Sequence, residues 1–168
     1  MPRSFDMATD YEGSVEQVHR AFADERYWLA RLADSGADET RLDALNVTDD
    51  GDIEAVTTQI LRASQLPGLV SQFHRGDLFI RREEHWQPIR DGASHGTVQG
   101  SVAGAPVSLS GTATLSTTGG GSRLSVHLTV EVRVPLVGGK IESFIGGQLV
   151  DLLTAEQRFT SVWITDHS

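Results

Sequence analysis

Apolar and polar residues alternate most regularly in the last third of the chain. From Leu124 to Val134 every second residue is leucine or valine, and the residues between them are polar or charged. This period of two predicts a strand with one buried face. After Gly139 the apolar spacing becomes that of a helix ending near Trp163. A helix of about 25 residues spans roughly 37 Å and can cross a small sheet, so the pattern predicts a curved antiparallel sheet around its own C-terminal helix.

The helical part of this pattern defines one apolar stripe along the predicted C-terminal helix. Its members recur every three or four positions: Ile141, Phe144, Ile145, Leu149, Leu152, Ala155, Phe159 and Trp163. We expect this stripe to pack against the sheet.

Two short helices and six more strands are predicted before this point. Residues 5–11 alternate as a strand, and Ser14 followed by Gln17 has the spacing of a capping box that begins a helix. Asp24 can begin a second helix, which ends at Gly36. Turn signals rich in glycine separate the later strands, whose approximate bounds are 40–48, 53–61, 77–87, 95–103, 107–116 and 123–134. The predicted fold class is α+β, with a seven-stranded antiparallel sheet.

Composition limits the size of the fold and its partners. The 168 residues suffice for one domain, predicted over 1–168. The net charge is −9, from 23 acidic and 14 basic residues, which disfavours nucleic-acid binding. The absence of cysteine excludes disulfides, thiolate catalysis and cysteine-bound zinc. Neither a signal peptide nor an apolar run of about 18 residues is visible, so we expect a cytoplasmic protein without stable membrane insertion.

The order strand, two short helices, six strands and long helix resembles the START-like, helix-grip (SRPBCC) superfamily, which includes Bet v 1-like proteins, steroid-transfer domains and aromatic polyketide cyclases. The run from Val132 to Glu142, with the closing residues 156–160 and Trp163, looks more like a family of domains of unknown function from actinobacteria with GC-rich genomes. The resemblance covers essentially the whole chain. It implies the helix-grip fold, and it supplies no catalytic motif.

The space between sheet and helix is interpreted as a ligand cavity, with a filled core as the alternative. Small residues leave room for a ligand, although close packing of the helix on the sheet also explains the glycines. They are Gly100, Gly111 and Ala113 on inward strand faces, and Gly146 and Gly147 inside the helix. The candidate ligand-binding residues, most of them equally suited to a core, are Trp28, Leu32, Val70, Phe73, Arg82, Glu84, Trp86, Leu109, Val126, Phe144, Ile145, Gly147, Leu149 and Leu152.

The longest connection between strands, residues 62–76, is predicted to gate the cavity. It contains Leu69, Val70 and Phe73, which could turn toward the ligand, and Pro67 followed by glycine is a plausible hinge. A fixed crossover is the alternative.

Charged residues of both signs mark the strand that contains Arg82 and Glu84. These two side chains share a face with Trp86, whereas His85 belongs to the opposite face. If the first face points inward, Arg82 and Glu84 form an ion pair that could orient the polar end of a ligand. Mixed charge favours the other interpretation, a solvated strand surface.

The predicted function is binding of a small apolar or amphipathic ligand, such as a lipid or polyketide-like compound, without cofactor, metal or catalytic residues. The six histidines show no metal-ligand spacing, and no nucleophile elbow is present. One alternative is an aromatase/cyclase-type enzyme in which Arg82, Glu84 and His85 position a substrate and move protons. A second is an interaction module with a filled core, and a homodimer is a possible assembly.

Overall fold

The computed structural model describes residues 2–65, 76–103, 105–134 and 138–167, with the backbone alone at Gln65, Ile141, Phe144 and Ile145. The strands within these ranges are β1 Arg3–Tyr11, β2 Glu39–Val47, β3 Ile53–Leu61, β4 Leu78–Trp86, β5 Ala93–Val102, β6 Val107–Thr118 and β7 Gly121–Val132. The helices are α1 Val15–Phe22, α2 Glu25–Asp34 and α3 Gly138–Asp166, and Ala63–Gln65 form one turn of 3₁₀ helix.

Local capping explains where the two short helices begin and end. The Ser14 side chain accepts a hydrogen bond from the Gln17 backbone N–H at 3.2 Å, and Gln17 Oε1 accepts one from the Ser14 N–H at 2.8 Å. These reciprocal bonds are the predicted capping box. Asp24 caps α2 by accepting from the Arg26 N–H at 2.9 Å. Gly36, with φ +81°, has the left-handed conformation that commonly follows a helix.

The sheet is an antiparallel meander that β1 completes. Its order is β1-β7-β6-β5-β4-β3-β2, so the first strand pairs with the last, and Phe5 lies opposite Leu128. A register shift between Leu42 and Ala44 interrupts the pairing of β2 with β3 at the far edge. The predicted fold class is confirmed, and every strand end lies within two residues of the expected one.

The inward side of the sheet is apolar where the sequence alternates. All of the expected apolar positions of β7 from Leu124 to Val132 are buried. An aromatic cluster fills the end of the grip nearest α1 and α2: the ring centroids of Phe22 and Trp86 are 5.1 Å apart, and those of Tyr27 and Trp163 are 5.8 Å apart. This cluster joins the short helices, the sheet and the last turns of α3 into one core.

The first half of α3 is held close to the sheet by a glycine and a glutamate. A Cβ atom at Gly146 would overlap the Phe5 ring of β1, so glycine permits the close approach of the helix. The buried Glu142 carboxylate accepts a hydrogen bond from the Val132 N–H at 2.8 Å, at the end of β7. Both contacts fix the position of α3 across the concave face.

Candidate functional site

Four charged side chains meet beneath α3 and form what we call the charge ring: Arg31 of α2, Arg82 and Glu84 of β4, and Glu156 of α3. Arg31 Nη2 lies 3.2 Å from Glu84 Oε1 and 2.9 Å from Glu156 Oε1. Arg82 Nε lies 3.4 Å from Glu84 Oε1, and Arg82 Nη2 lies 2.6 Å from Glu156 Oε2. Each arginine therefore contacts both glutamates. The side chains are only 6% to 11% exposed.

Three elements of the fold bring the ring together. Alternation along β4 places Arg82 and Glu84 on the inward face with Trp86. Arg31 follows Tyr27 and Trp28 on the buried side of α2. Glu156 and Thr160 lie one helical turn apart on the buried side of α3, and Glu156 contacts Arg82 of the sheet.

Hydroxyl groups and an aromatic ring surround the charges. Tyr27 Oη and Thr160 Oγ1 are 2.6 Å apart, and Arg31 Nη1 donates to Tyr27 Oη at 3.5 Å. The Arg31 guanidinium also lies over the Trp28 ring, 4.7 Å from its centroid, within the range of a cation–π contact. The charge ring thus lies in a largely apolar environment that supplies a few hydrogen bonds.

The protonation states in this environment follow from burial and from the neighbouring charges. Burial alone would raise the pKa of Glu156, but the charges of Arg31 and Arg82 outweigh it and hold this pKa below its ordinary value. Burial opposes the charged form of Arg31 as well, yet Glu156 and Glu84 keep the Arg31 pKa well above its usual range. Burial raises the pKa of Tyr27 and of Tyr11. At neutral pH Glu156 and Arg31 are therefore ionised, and both tyrosines are neutral.

A cavity of about 60 Å³ lies between the charge ring and the concave face of the sheet. Its apolar wall consists of Phe22, Trp86, Val98, Leu109, Ala113, Leu124, Val126, Leu128, Leu149 and Leu153. The polar lining is the charge ring with Tyr11, Tyr27, Gln157 and Thr160. This volume holds a few water molecules at most, since one water occupies about 30 Å³ in the liquid. Pockets for drug-sized ligands measure about 300–1,000 Å³.

The structure brings six of the predicted site residues to this cavity: Arg82, Glu84, Trp86, Leu109, Val126 and Leu149. Trp28 and Leu32 are buried in the neighbouring core, and Leu152 is half-buried on α3; these three do not line the cavity. Val70 and Phe73 lie outside the described residues, together with the rest of the predicted gate between residues 66 and 75. The side chains of Phe144 and Ile145 also lie outside them.

The prediction that Gly147 lines the ligand cavity is wrong. Gly147 is exposed, and nothing lies within 4 Å of the place where its Cβ would be. Gly146 is the buried glycine instead. The two differ because successive helical residues point about 100° apart at 3.6 residues per turn.

The favoured interpretation of β4 as a solvated strand surface is also wrong. The alternative, an inward ion pair of Arg82 and Glu84, is correct, and two further charged residues extend the pair. Arg82 and Glu84 are buried because Arg31 and Glu156, which sequence reasoning missed, supply opposite charges from two helices. A usable signal existed in each helix: Arg31 lies three residues after Trp28, and Glu156 lies between Leu152 and Phe159 of the apolar stripe. Tyr11, Tyr27 and Thr160 were missed as well.

No histidine is among the described residues that line the cavity. His85 points to the opposite face of β4, where its Nε2 lies 2.8 Å from Asp52 Oδ1, and its side chain is 42% exposed. Across the ranges that the structure describes, no group of three or more histidine, cysteine, aspartate or glutamate residues could hold a metal ion. Within those same ranges, no helix has the length and apolar character needed to cross a membrane.

A curved antiparallel sheet closed around a C-terminal helix, with two short helices after the first strand, defines the helix-grip, START-like class. Solved structures of the same fold include the di-domain ARO/CYC StfQ from the steffimycin biosynthetic pathway, with a TM-score of 0.66 and 9% identity, covering 99% of this chain and 52% of that one. Norcoclaurine synthase from Thalictrum flavum, solved in complex with dopamine and hydroxybenzaldehyde, has a TM-score of 0.57 and 15% identity, covering 100% and 89%. Likeness at these identities shows the fold alone.

Within this class, the chain belongs to the family described as "Protein of unknown function (DUF2505)", which matches residues 6–164. One relative is "Uncharacterized protein Rv0481c" of Mycobacterium tuberculosis (strain ATCC 25618 / H37Rv), 53% identical over 173 residues and covering 99% of each chain. The resemblance inferred from the sequence is confirmed.

Proposed function

We propose that this protein binds a small amphipathic molecule between the sheet and α3, with the ligand's polar end at the charge ring and its apolar part along the cavity wall. The charge ring carries the proposal, because four ionisable side chains lie nearly buried beside an apolar cavity. Replacing buried ion pairs with apolar residues of similar volume is often neutral or stabilising, so stability alone is a weak reason for such a ring. Recognition of a polar group is a better one.

Two atoms of the ring support this proposal. Arg82 Nε and Glu156 Oε1 are buried and have no hydrogen-bond partner among the described residues, although each contacts an opposite charge. Buried polar atoms are normally hydrogen-bonded. A polar atom of a ligand, or a water that the ligand displaces, would complete their hydrogen bonding.

The size of the cavity favours a compact ligand over a long lipid chain. At about 60 Å³ the cavity accepts only a small group unless side chains move. Leu149 and Leu153 of α3 line it and are half-buried, so their displacement is the simplest way to enlarge the site. Norcoclaurine synthase, which has the same fold, was solved with two small molecules bound, and this supports a small ligand here.

Binding is favoured over the aromatase/cyclase-type alternative by the protonation states in the cavity. The pKa of Glu156 lies below its ordinary value and those of Tyr11 and Tyr27 lie above theirs, so these three groups are not suited to exchange protons near neutral pH. His85, one of the residues that this alternative assigns to proton transfer, lies on the outer face of β4 beside Asp52. The single-domain organisation, the cytoplasmic location and the homodimer stay predictions from the sequence.

A cavity-filling substitution tests the proposed function. Ala113 is buried on β6 and lines the cavity, so Ala113→Leu should occupy the ligand's space. We expect the wild type to bind the uncharged probe 2-naphthol in a fluorescence titration, and the variant to bind it at least about tenfold more weakly. Ala8→Leu is the matched control, because Ala8 is exposed on β1 of the same sheet, and its affinity should equal that of the wild type.

Circular dichroism and thermal melting must show that both variants are folded, since overpacking costs about 1–3 kcal/mol. If Ala113→Leu does not fold, Leu153→Phe fills the cavity from the helix side and replaces it in the test. A wild type that takes up no probe, or a folded cavity-filling variant that binds as tightly as the wild type, would contradict the proposal.

A further inference from the structure

The charges that line the cavity cancel one another. All the ionisable groups of its described lining are the four members of the charge ring, with Tyr11 from β1 and Tyr27 from α2. The ring contains two positive and two negative side chains, and the four contacts between them measure 2.6 to 3.4 Å. Both tyrosines are neutral at physiological pH because burial raises their pKa. The site therefore has no surplus charge to offer a ligand.

An ionised ligand group would disturb this balance. A carboxylate placed beside the ring either competes with Glu84 and Glu156 for the arginines or stays unpaired, and an ammonium group has the converse effect on the glutamates. A buried charge without a partner is strongly unfavourable. Uncharged polar groups avoid this penalty.

Among the fully buried polar atoms of the charge ring, one donor and one acceptor lack a hydrogen-bond partner in the described residues. Arg82 Nε–H can donate, Glu156 Oε1 can accept, and neither has a hydrogen-bond partner within the described parts of the chain. A hydroxyl group both accepts and donates, whereas a carbonyl oxygen or a carboxylate only accepts and an ammonium group only donates. A hydroxyl group is thus the complement of these two atoms.

We infer that the polar end of the ligand is an uncharged hydroxyl group, an alcohol or a phenol, rather than a carboxylate, phosphate or ammonium group. The inference rests on the proposed function, because it names the chemistry of the molecule bound at the same site. It makes the charge ring a selectivity device that excludes ions of either sign.

A panel of probes with one ring system tests this inference at neutral pH. The probes are 2-naphthol, 2-methylnaphthalene, 2-naphthoate and 2-naphthylmethylammonium, titrated by fluorescence into the wild-type protein. We expect 2-naphthol to bind about tenfold or more tightly than 2-methylnaphthalene, because hydrogen bonds to charged groups are strong. Both ionic probes should bind at least about a hundredfold more weakly than 2-naphthol.

Neutral replacements of one glutamate provide an internal check. Glu84→Gln leaves the ring with one net positive charge, so 2-naphthoate should gain at least about tenfold in affinity relative to 2-naphthol. The matched control is Glu83→Gln, the adjacent residue on the outer face, whose side chain is 43% exposed and pairs with Arg81. It should leave the ranking of the probes unchanged. If Glu84→Gln fails to fold, Glu156→Gln makes the same change of charge from α3.

The outcomes separate the two proposals. Binding of 2-naphthoate or 2-naphthylmethylammonium by the wild type as tightly as 2-naphthol would overturn the inference and leave the proposed function standing. A folded Glu84→Gln or Glu156→Gln protein with unchanged selectivity would also overturn it. Failure of the wild type to bind any of the four probes would instead contradict the proposed function.

Discussion

The two faces of β4 present the same residue types in opposite environments. Residues 81–84 read Arg-Arg-Glu-Glu, so alternation sends one arginine and one glutamate to each side of the sheet. On the outer face Arg81 and Glu83 pair at 3.0 Å with side chains 58% and 43% exposed. On the inner face Arg82 and Glu84 are almost fully buried and need Arg31 and Glu156 to complete the charge ring.

This difference shows that an ion pair's importance depends on its surroundings rather than on its residues. An exposed pair contributes roughly 0–1 kcal/mol, because water screens it and solvates each partner well. A buried ring replaces that water, so each member depends on the others. The outer pair of β4 is therefore a built-in control for the inner one.

The largest expected effect comes from removing one glutamate of the ring. Glu84→Ala leaves two buried arginines with Glu156 as their shared partner, and it should lower the free energy of unfolding by about 3–5 kcal/mol. Glu83→Ala on the outer face should cost less than about 1 kcal/mol. Urea denaturation of both variants measures the difference, and equal losses would refute the contrast between the two faces.

Removing all four charges of the charge ring should not lower the free energy of unfolding. A variant with Arg31→Met, Arg82→Met, Glu84→Leu and Glu156→Leu should match the wild type in stability or exceed it by about 1–4 kcal/mol, because no buried charge remains unpaired. It should also lose the preference for 2-naphthol over 2-methylnaphthalene. A folded variant that keeps this preference would show that the ring does not recognise the ligand.

The adjacent glycines of α3 extend the comparison of inner and outer faces to a helix. Gly146→Ala should destabilise by about 1–3 kcal/mol, since its methyl group would overlap the Phe5 ring. Gly147→Ala should stabilise by about 1 kcal/mol, because alanine is the better helix former and the position is open. Thermal melts of the two variants should therefore move in opposite directions. Shifts of the same sign and size would contradict the observed orientation of the helix.

The stability of the protein should depend on pH in acid because of Glu156. Burial alone would raise the pKa of Glu156, but Arg31 and Arg82 hold it below its ordinary value of 4.5. The unfolded chain therefore binds this proton more readily, and the resulting stability is fully present above about pH 4.5 and is lost as pH falls through the folded-state pKa.

The size of this effect is about 1.4 kcal/mol for each unit between the two pKa values. Glu156→Gln should flatten the acid limb of a plot of unfolding free energy against pH. Glu83→Gln is the control for removing an exposed carboxylate. Identical acid limbs in the wild type and Glu156→Gln would contradict the assigned role of this carboxylate.

The sequence predicts most of the fold because its signals are local. The alternation along β7 and the capping box of Ser14 and Gln17 depend on residues within a few positions of one another. The charge ring cannot be predicted in this way, since its members come from three elements separated by up to 125 positions, from Arg31 to Glu156. Whether Arg82 is buried depends on charges that β4 itself does not contain.

The apolar stripe predicted on α3 is only partly correct, for a related physical reason: Leu149, Phe159 and Trp163 pack against the core, whereas Ala155 is exposed. Its buried positions include Glu142, Gly146, Glu156, Gln157 and Thr160, which are not apolar. The apolar residues of α3 therefore include neighbouring positions such as Leu152, which is half-buried, and Ala155, which is exposed. Two of these residues explain the weak pattern: Glu142 holds α3 to the sheet, and Glu156 completes the charge ring. Functional polarity in a core weakens the periodicity from which the core is predicted.

The most direct test of the central claim is the location of a bound probe by methyl NMR. On titration with 2-naphthol we expect chemical-shift changes and intermolecular contacts at methyl groups that line the cavity, in Leu109, Val126 and Leu149. The exposed methyl groups of Val47 and Val162 should stay unchanged. Changes confined to exposed methyl groups, or none at saturating probe, would contradict a ligand site at the charge ring.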